Sequence, residues 1–279
     1  MNHSITPELQ MAFAEHLRLE EKSSATIDKY SRDVRTFVEF ICGREIDKAL
    51  VLEYKNALLD RYTVTSANSM LAALNAFFRF CGWFELAVKQ FRVQREAFCT
   101  EEKELNRQEY MRLVSAANRR GDERLSLILQ TICSTGIRVS ELAYITVNAV
   151  KRGEAHVSCK GKTRRIFLVP ELCKKLWAYA KGKGIKDGCI FVTRNGRPLN
   201  RTGIWRAMKS LCHEAGVAAT KVFPHNLRHL FARIFYSMQK DIVTLADLLG
   251  HASINTTRIY TVTTGKTHRQ KMKQMKLVL

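Results

Sequence analysis

The sequence predicts a mainly α-helical protein with small β-hairpins, organised as an N-terminal helical bundle followed by a larger C-terminal domain. Three observations predict it. Four amphipathic patterns at helical spacing fill the first 90 residues. A charged stretch without periodicity then interrupts the pattern from about residue 86 to 104. Beyond it, helical segments return, broken by one strictly alternating stretch around a basic turn.

The first helix opens at Thr6-Pro7-Glu8, with proline at an early helical position, and carries Met11, Phe13, Ala14 and Leu17. A second runs from Ser24 through Ile27, Tyr30, Val34, Phe37 and Ile41 to a stop at Cys42-Gly43. The spacing places a third over Lys48 to Leu59. A fourth follows Thr63-Val64-Thr65-Ser66, carries Met70, Leu71, Leu74, Phe77, Phe78 and Phe80, and stops about Gly82. Four such helices bury their apolar stripes against one another as a bundle, so the three phenylalanines are read as core. The expected division is a bundle over residues 1–88, a linker over 89–104 and a second domain over 105–279.

In the second domain a helix starts at Asn106-Arg107-Gln108-Glu109, and an aliphatic one runs from about Asp122 to Ser134. Gly136 breaks it and presents Arg138 near a helix start, where orphan amides favour an anion. Ala155 to Cys159 and Arg165 to Val169 alternate around Lys160-Gly161-Lys162-Thr163-Arg164, which reads as a hairpin with a basic tip. Helices are expected over Glu171 to Lys181 and Arg201 to Glu214, with a short hairpin near Cys189 to Arg197 turning at Asn195-Gly196. Phe223-Pro224-His225 opens the next helix, and Val243 to Leu249 forms another that Gly250 ends. The short stretch Ser253 to Tyr260 follows, and its last residue is easier to move if the stretch is only loosely packed.

At 279 residues and 46% apolar, the chain is long enough for sizeable cores. Its formal charge of +20 is uneven. Residues 1–150 hold 20 Lys/Arg against 20 Asp/Glu, whereas 151–200 and 201–279 each hold 13 against 3. A half-chain carrying the whole excess favours a polyanion through counterion release. A membrane surface is the competing polyanion, but no apolar run of about 20 residues and no leader pattern is present. A soluble, intracellular protein is expected. The eight cysteines contain no Cys-x-x-Cys pair, so reduced thiols and no structural metal are expected.

One set of residues suits phosphodiester chemistry without a metal: Arg138, Lys160, His225, Arg228, His251 and Tyr260. A phosphorane carries extra negative charge on its non-bridging oxygens, which planar guanidinium forks match in pairs. A phenol with a pKa of about 10 needs an acceptor or a strongly positive site to attack. His225 and His251 are the candidate acceptors. Lys160 is the candidate acid for the departing sugar oxygen, with Lys162 as its rival, and His229 is open between catalysis and packing.

Thr135-Gly136-Ile137-Arg138-Val139-Ser140-Glu141-Leu142, His225 to His229, Leu249-Gly250-His251 and Arg258-Ile259-Tyr260 resemble, in order and spacing, the catalytic boxes of the tyrosine recombinases, the phage integrase family. The resemblance is detailed from about residue 104 onward. It implies a SAM-like core-binding bundle joined to a tyrosine-recombinase catalytic domain, the two clamping double-stranded DNA. Its implied activity is site-specific strand exchange through a 3′-phosphotyrosine, independent of metal, ATP and cofactor. It assigns the arginine pair to Arg138 and Arg228, the acid to Lys160, histidine roles to His225 and His251, and the nucleophile to Tyr260. It also implies a homodimer on an inverted repeat, a homotetramer in the synapse, a C-terminal docking segment within residues 261–279, and a cytoplasmic, nucleoid-associated location. A type IB topoisomerase would share the chemistry, and a silent DNA-binding regulator would have lost the six residues. A metal-dependent nuclease would need paired carboxylates, which residues 151–279 do not offer.

Overall fold

The computed structural model describes residues 3–93, 103–159, 162–193, 195–251, 253–260 and 273. These are mainly helical, with one two-stranded sheet among the described residues. The chain divides into two compact units, Met1–Arg95 and Glu96–Leu279. Each has its own core.

The first unit holds α1 (Pro7–Leu19), α2 (Ser24–Ile41), α3 (Lys48–Arg61) and α4 (Val64–Phe80). Thr6, Ser23, Asp47 and Thr63 cap them, each side-chain oxygen accepting from an amide in the first turn. Cys42 ends α2 in the left-handed conformation. Phe13, Phe37, Phe77 and Phe78 fill the centre, and the Phe13–Phe77 and Phe37–Phe78 pairs meet edge to face at 5.2 and 5.9 Å. Two expected core members differ: Phe80 is only partly buried, and Met11 faces solvent. After α4 the chain remains tied to the bundle. Leu86 and Val88 are buried, Asn75 donates to the Val88 carbonyl and accepts from its amide, and Asn68 does the same for Phe91.

The second unit begins with α5 (Arg107–Arg119), opened by a reciprocal capping box between Asn106 and Glu109, and α6 (Glu123–Thr135), capped by Asp122. Leu125, Leu127, Ile128, Leu129 and Ile132 are all buried, so α6 is covered on several sides and forms the axis of this unit. Gly136 ends it in the left-handed conformation at φ 65°. A Cβ there would lie 2.4 Å from Phe231 Cδ1, so glycine also admits the next helix layer. A 3-10 helix (Val139–Tyr144) and α7 (Val147–Arg152) lead to strands β1 (Glu154–Cys159) and β2 (Lys162–Phe167). Then come α8 (Pro170–Gly182), α9 (Arg201–Ser210), α10 (Cys212–Ala215), α11 (Pro224–Gln239), α12 (Ile242–Leu249), α13 (Ile254–Thr257) and a last 3-10 turn, Arg258–Tyr260.

Two expectations are corrected, and one is met in a shortened form. The strands pair from Glu154↔Phe167 to Cys159↔Lys162, so Lys162, Thr163 and Arg164 belong to β2 and not to a five-residue tip. The expected short hairpin turning at Asn195-Gly196 is present in minimal form: Val192 and Pro198 make an antiparallel bridge, the Gly196 amide donates to the Thr193 carbonyl and the Thr193 amide to the Arg197 carbonyl at 2.7 Å, while proline, with no amide, keeps the pairing short. The helix expected over Arg201 to Glu214 is two helices, α9 and α10. The expected docking segment over 261–279 lies outside the described residues, apart from Lys273.

Candidate active site

Arg138, His225, Arg228, His251 and Tyr260, which lie on four separate stretches of chain, converge in the second unit. Lys160 lies outside the described residues.

Arg228 projects from α11 and is 2% exposed, an extreme position for a guanidinium. It is held by donation: Nη1 to the Gly136 carbonyl, Nη2 to the Leu249 carbonyl at 2.7 Å, and Nη2 to His251 Nε2 at 3.0 Å. Both carbonyls stand at helix C-termini, where partial negative charge offsets the cost of burying the cation. Burial, with Arg138 nearby, lowers its pKa to about 10, which leaves it charged at neutral pH.

His251 follows the left-handed Gly250 that ends α12, and its amide donates to the Ala246 carbonyl. An arginine only donates, so His251 Nε2 must accept from Arg228. Nδ1 then carries the proton and donates to Thr257 Oγ1 at 2.8 Å. Burial, then the charges of Arg228, Arg138 and Arg164, lower the imidazole to about 4, in keeping with this neutral tautomer.

Arg138 caps the 3-10 helix that follows Gly136. Its amide and Nη1 donate to the two oxygens of Glu141 at 2.8 and 2.9 Å, while Nη2 points toward the Gly250 carbonyl at 3.4 Å. Unlike Arg228, its side chain is 38% exposed and lines an open cleft with Ser140, Arg201, Trp205, His225 and Arg228. The pairing with Glu141 and an opening toward a ligand therefore coexist. His225 stands one residue into α11, exposed on this cleft. Partial burial, then Arg228, Arg138 and Arg201, lower its pKa, so a neutral ring with a free lone pair is favoured at pH 7.

Tyr260 is buried, at 4% exposed. It rests with Ala232, Leu245 and Leu249, meets His229 edge to face at 4.8 Å and lies parallel to His251 at 5.9 Å. Burial raises its pKa, while the charge and hydrogen bonding of Arg228 and the charge of Arg138 pull the other way. His229, open between two roles in the sequence, is a packing residue in part: its ring also touches His225 at 4.5 Å, and its buried Nε2 has no partner. Burial first lowers its pKa to about 4.

Two residues beside these were assigned no role in the site from the sequence, although Glu141 was readable as a partner for Arg138 three residues away. Glu141, 2% exposed, receives both terminal nitrogens of Arg164, at 2.9 and 2.7 Å, as well as the Arg138 contacts. Burial pushes this carboxyl up, but Arg164 and Arg138 outweigh it and hold it below its ordinary value. Arg164, read as part of a basic tip, is 13% exposed and turns inward, whereas its neighbour Arg165 is 63% exposed. Strand alternation was the available signal, because Arg164 shares its face with the buried Ile166.

Taken together, the fold and these boxes define a phosphoryl-transfer protein of one class: the chain belongs to the phage integrase family, whose description matches residues 103–266. The SAM-like N-terminal domain of phage integrases matches residues 11–83. Tyrosine recombinase XerA of Thermococcus kodakarensis is 31% identical over 278 residues, which cover 95% of this chain and 94% of the relative. A crystal structure of XerA recombinase aligns with 99% of this chain and 100% of its own at 27% identity and a TM-score of 0.55. A lambda integrase (75-356) dimer bound to a COC′ core site shares the fold over 91% of this chain and 94% of its own, at 17% identity and a TM-score of 0.73. No helix among the described residues is long and apolar enough to cross a membrane.

Proposed function

We propose that this protein is a site-specific tyrosine recombinase that cuts and rejoins duplex DNA through a covalent 3′-phosphotyrosine at Tyr260. The observation that carries this reading is the convergence of two guanidiniums of unlike exposure, Arg138 and Arg228, beside a buried phenol and a neutral imidazole.

Arg138, on the open cleft, takes the non-bridging oxygens of the scissile phosphate, and Arg228 supplies a fixed positive charge behind it. His251, whose lone pair is already engaged by Arg228, orients that guanidinium. His225, with a free lone pair on the cleft, accepts the phenolic proton. The Tyr260 oxygen bonds to phosphorus as the bond to the 5′-oxygen breaks, and Lys160 protonates the leaving oxygen. A 5′-hydroxyl and a phosphotyrosine result. Attack by a partner strand's 5′-hydroxyl reverses the same steps, so bond energy is conserved and ATP is not consumed.

The assembly we propose is a homodimer clamping an inverted-repeat site with both units of each chain, two dimers forming a tetrameric synapse, in the cytoplasm on the nucleoid. Support comes from the lambda integrase structures, one a dimer on a core site and another a tetramer bound to a Holliday junction. The uneven +20 charge supports duplex binding.

The test is a nicked suicide duplex carrying the target site, followed by digestion and mass spectrometry of the trapped complex. Nucleotide on the Tyr260 peptide is expected. Nucleotide on another side chain, or on none, rejects the reading.

A further inference from the structure

We infer that Arg164 is a positioning residue for the phosphate-binding fork: it anchors Glu141, and through Glu141 it fixes the Arg138 guanidinium on the scissile phosphate. This inference rests on the function proposed above, in which Arg138 grips the non-bridging oxygens.

The geometry is a relay of three charged groups on two elements. Arg164 comes from β2 and Arg138 from the start of the 3-10 helix. Glu141 joins them with both oxygens committed on both sides: Oε1 accepts from Arg138 Nη1 and Arg164 Nη1, each at 2.9 Å, and Oε2 accepts from the Arg138 amide at 2.8 Å and Arg164 Nη2 at 2.7 Å. Of the three, Arg138 lines the open cleft, so buried Glu141 and the largely covered Arg164 confine it from one side. A carboxylate held by a two-point fork from β2 cannot swing with the arginine it orients.

Gly250 gives a second observation. Its φ is +62°, and a Cβ there would lie 2.6 Å from Arg164 Cδ and 2.8 Å from its Nη1. The Gly250 carbonyl is also the 3.4 Å neighbour of Arg138 Nη2. The backbone beside His251 is thus kept bare where Arg164 passes, and the same peptide touches both arginines.

The arrangement is poorly suited to stability alone. Arg164 Nε is buried without a partner, and a buried ion cluster of this kind contributes little net stability compared with apolar residues of similar volume. What it does supply is fixed orientation: displacing a substrate-holding group by about 1 Å costs on the order of 10²-fold in rate. Because β2 is hydrogen-bonded to β1 through Cys159↔Lys162, an alternative role exists, in which Arg164 instead sets the hairpin that carries Lys160. The two roles act on different oxygens of the phosphate, and that separates them experimentally.

Single-turnover cleavage is measured for wild type, Arg164→Ala, Arg164→Lys and Arg138→Ala on three versions of one suicide duplex. The scissile linkage is an ordinary phosphodiester, a methylphosphonate lacking one charged non-bridging oxygen, or a 5′-bridging phosphorothiolate whose leaving group needs no proton. Wild-type adduct on the phosphodiester establishes the underlying reaction independently of Arg164. On that substrate Arg164→Ala is expected to lose about 10²-fold and Arg164→Lys, with one contact point in place of two, roughly 10-fold. On the methylphosphonate both deficits, and that of Arg138→Ala, shrink to within about 3-fold of wild type, because little charge remains for the fork to match. On the phosphorothiolate they persist. Rescue by the phosphorothiolate alone assigns Arg164 to the acid's hairpin and overturns the inference. Equal losses on all three substrates make it merely structural and also overturn it. Should Arg164→Ala fail to fold, Arg164→Lys decides: wild-type cleavage by that variant rejects the two-point anchor.

Discussion

The ring of Tyr260 lies nearly parallel to that of His251, with centroids 5.9 Å and planes 18° apart, while the ring of His229 meets it at 90°. The aromatic body of the proposed nucleophile is therefore held on two sides independently of its oxygen. Tyr260→Phe keeps both contacts and removes only the hydroxyl. Gel electrophoresis should show no covalent adduct with this variant, while band-shift affinity for the target duplex stays within about 3-fold of wild type, since removing a hydroxyl removes no phosphate-neutralising charge. A large loss of affinity would make the tyrosine a structural residue.

The two arginines should separate in stability though not in activity. Arg228→Ala strips the Gly136 and Leu249 carbonyls and His251 of their donor inside the unit, with an expected cost of about 3 kcal/mol or more in urea unfolding. Arg138→Ala, at the cleft, should cost under about 1 kcal/mol, Glu141 retaining the Arg164 fork. Each should lose at least ~10²-fold in cleavage, as for one donor at a developing charge. Equal destabilisation by both would contradict the assigned burial.

How much of this was legible in the sequence depends on the range of the signal. Helix starts at Thr6, Thr63, Asn106 and Asp122 were readable because capping is settled within four residues. The boxes with Arg138, His225, Arg228, His251 and Tyr260 were readable as local patterns, and the fold brings those five together. The inward turn of Arg164 was not, because its partner Glu141 lies 23 residues away in sequence and the segment around it read as the basic tip of a hairpin. The cover over Tyr260 was likewise invisible: it comes from α11 and α12, and Ser253 to Tyr260 carries no strong apolar stripe of its own. Asn195-Gly196 was readable as a turn, and the Val192↔Pro198 bridge closes it, although Pro198 has no amide to lengthen the pairing.

Acid should weaken the second unit through its histidines before its carboxylates. His229 and His251 have folded pKa values lowered to about 4 from an ordinary 6.5. Their neutral forms are favoured on folding, so their stabilising contribution is complete above about pH 6.5 and is lost as pH falls toward 4. Glu141, held below its ordinary 4.5, adds a contribution that is present above that value and lost only below it. Urea midpoints measured from pH 7.5 to 4 should fall for wild type, and the fall should be shallower for His229→Phe. An unchanged slope in that variant would remove His229 from the account.

Gly250→Ala tests the bare backbone beside His251. The left-handed conformation costs a non-glycine residue about 1–2 kcal/mol, and the added methyl meets Arg164 at 2.6 Å. A loss of both stability and cleavage is expected, whereas Gly121→Ala, also left-handed but with open space around it, should cost stability without slowing single-turnover cleavage.

Cleavage should be insensitive to EDTA if, as proposed, Arg138 and Arg228 supply the positive charge at the phosphate. Strict magnesium dependence of adduct formation would contradict that assignment.

The asparagines of α4 set the size of the smallest self-sufficient N-terminal fragment. The family match to this region ends at residue 83, yet Asn68 and Asn75 find their partners at Phe91 and Val88. An expression boundary drawn at the match would strand both amides and uncap the apolar interior beneath Leu86; one drawn past Phe91 keeps the domain's last stitches in place.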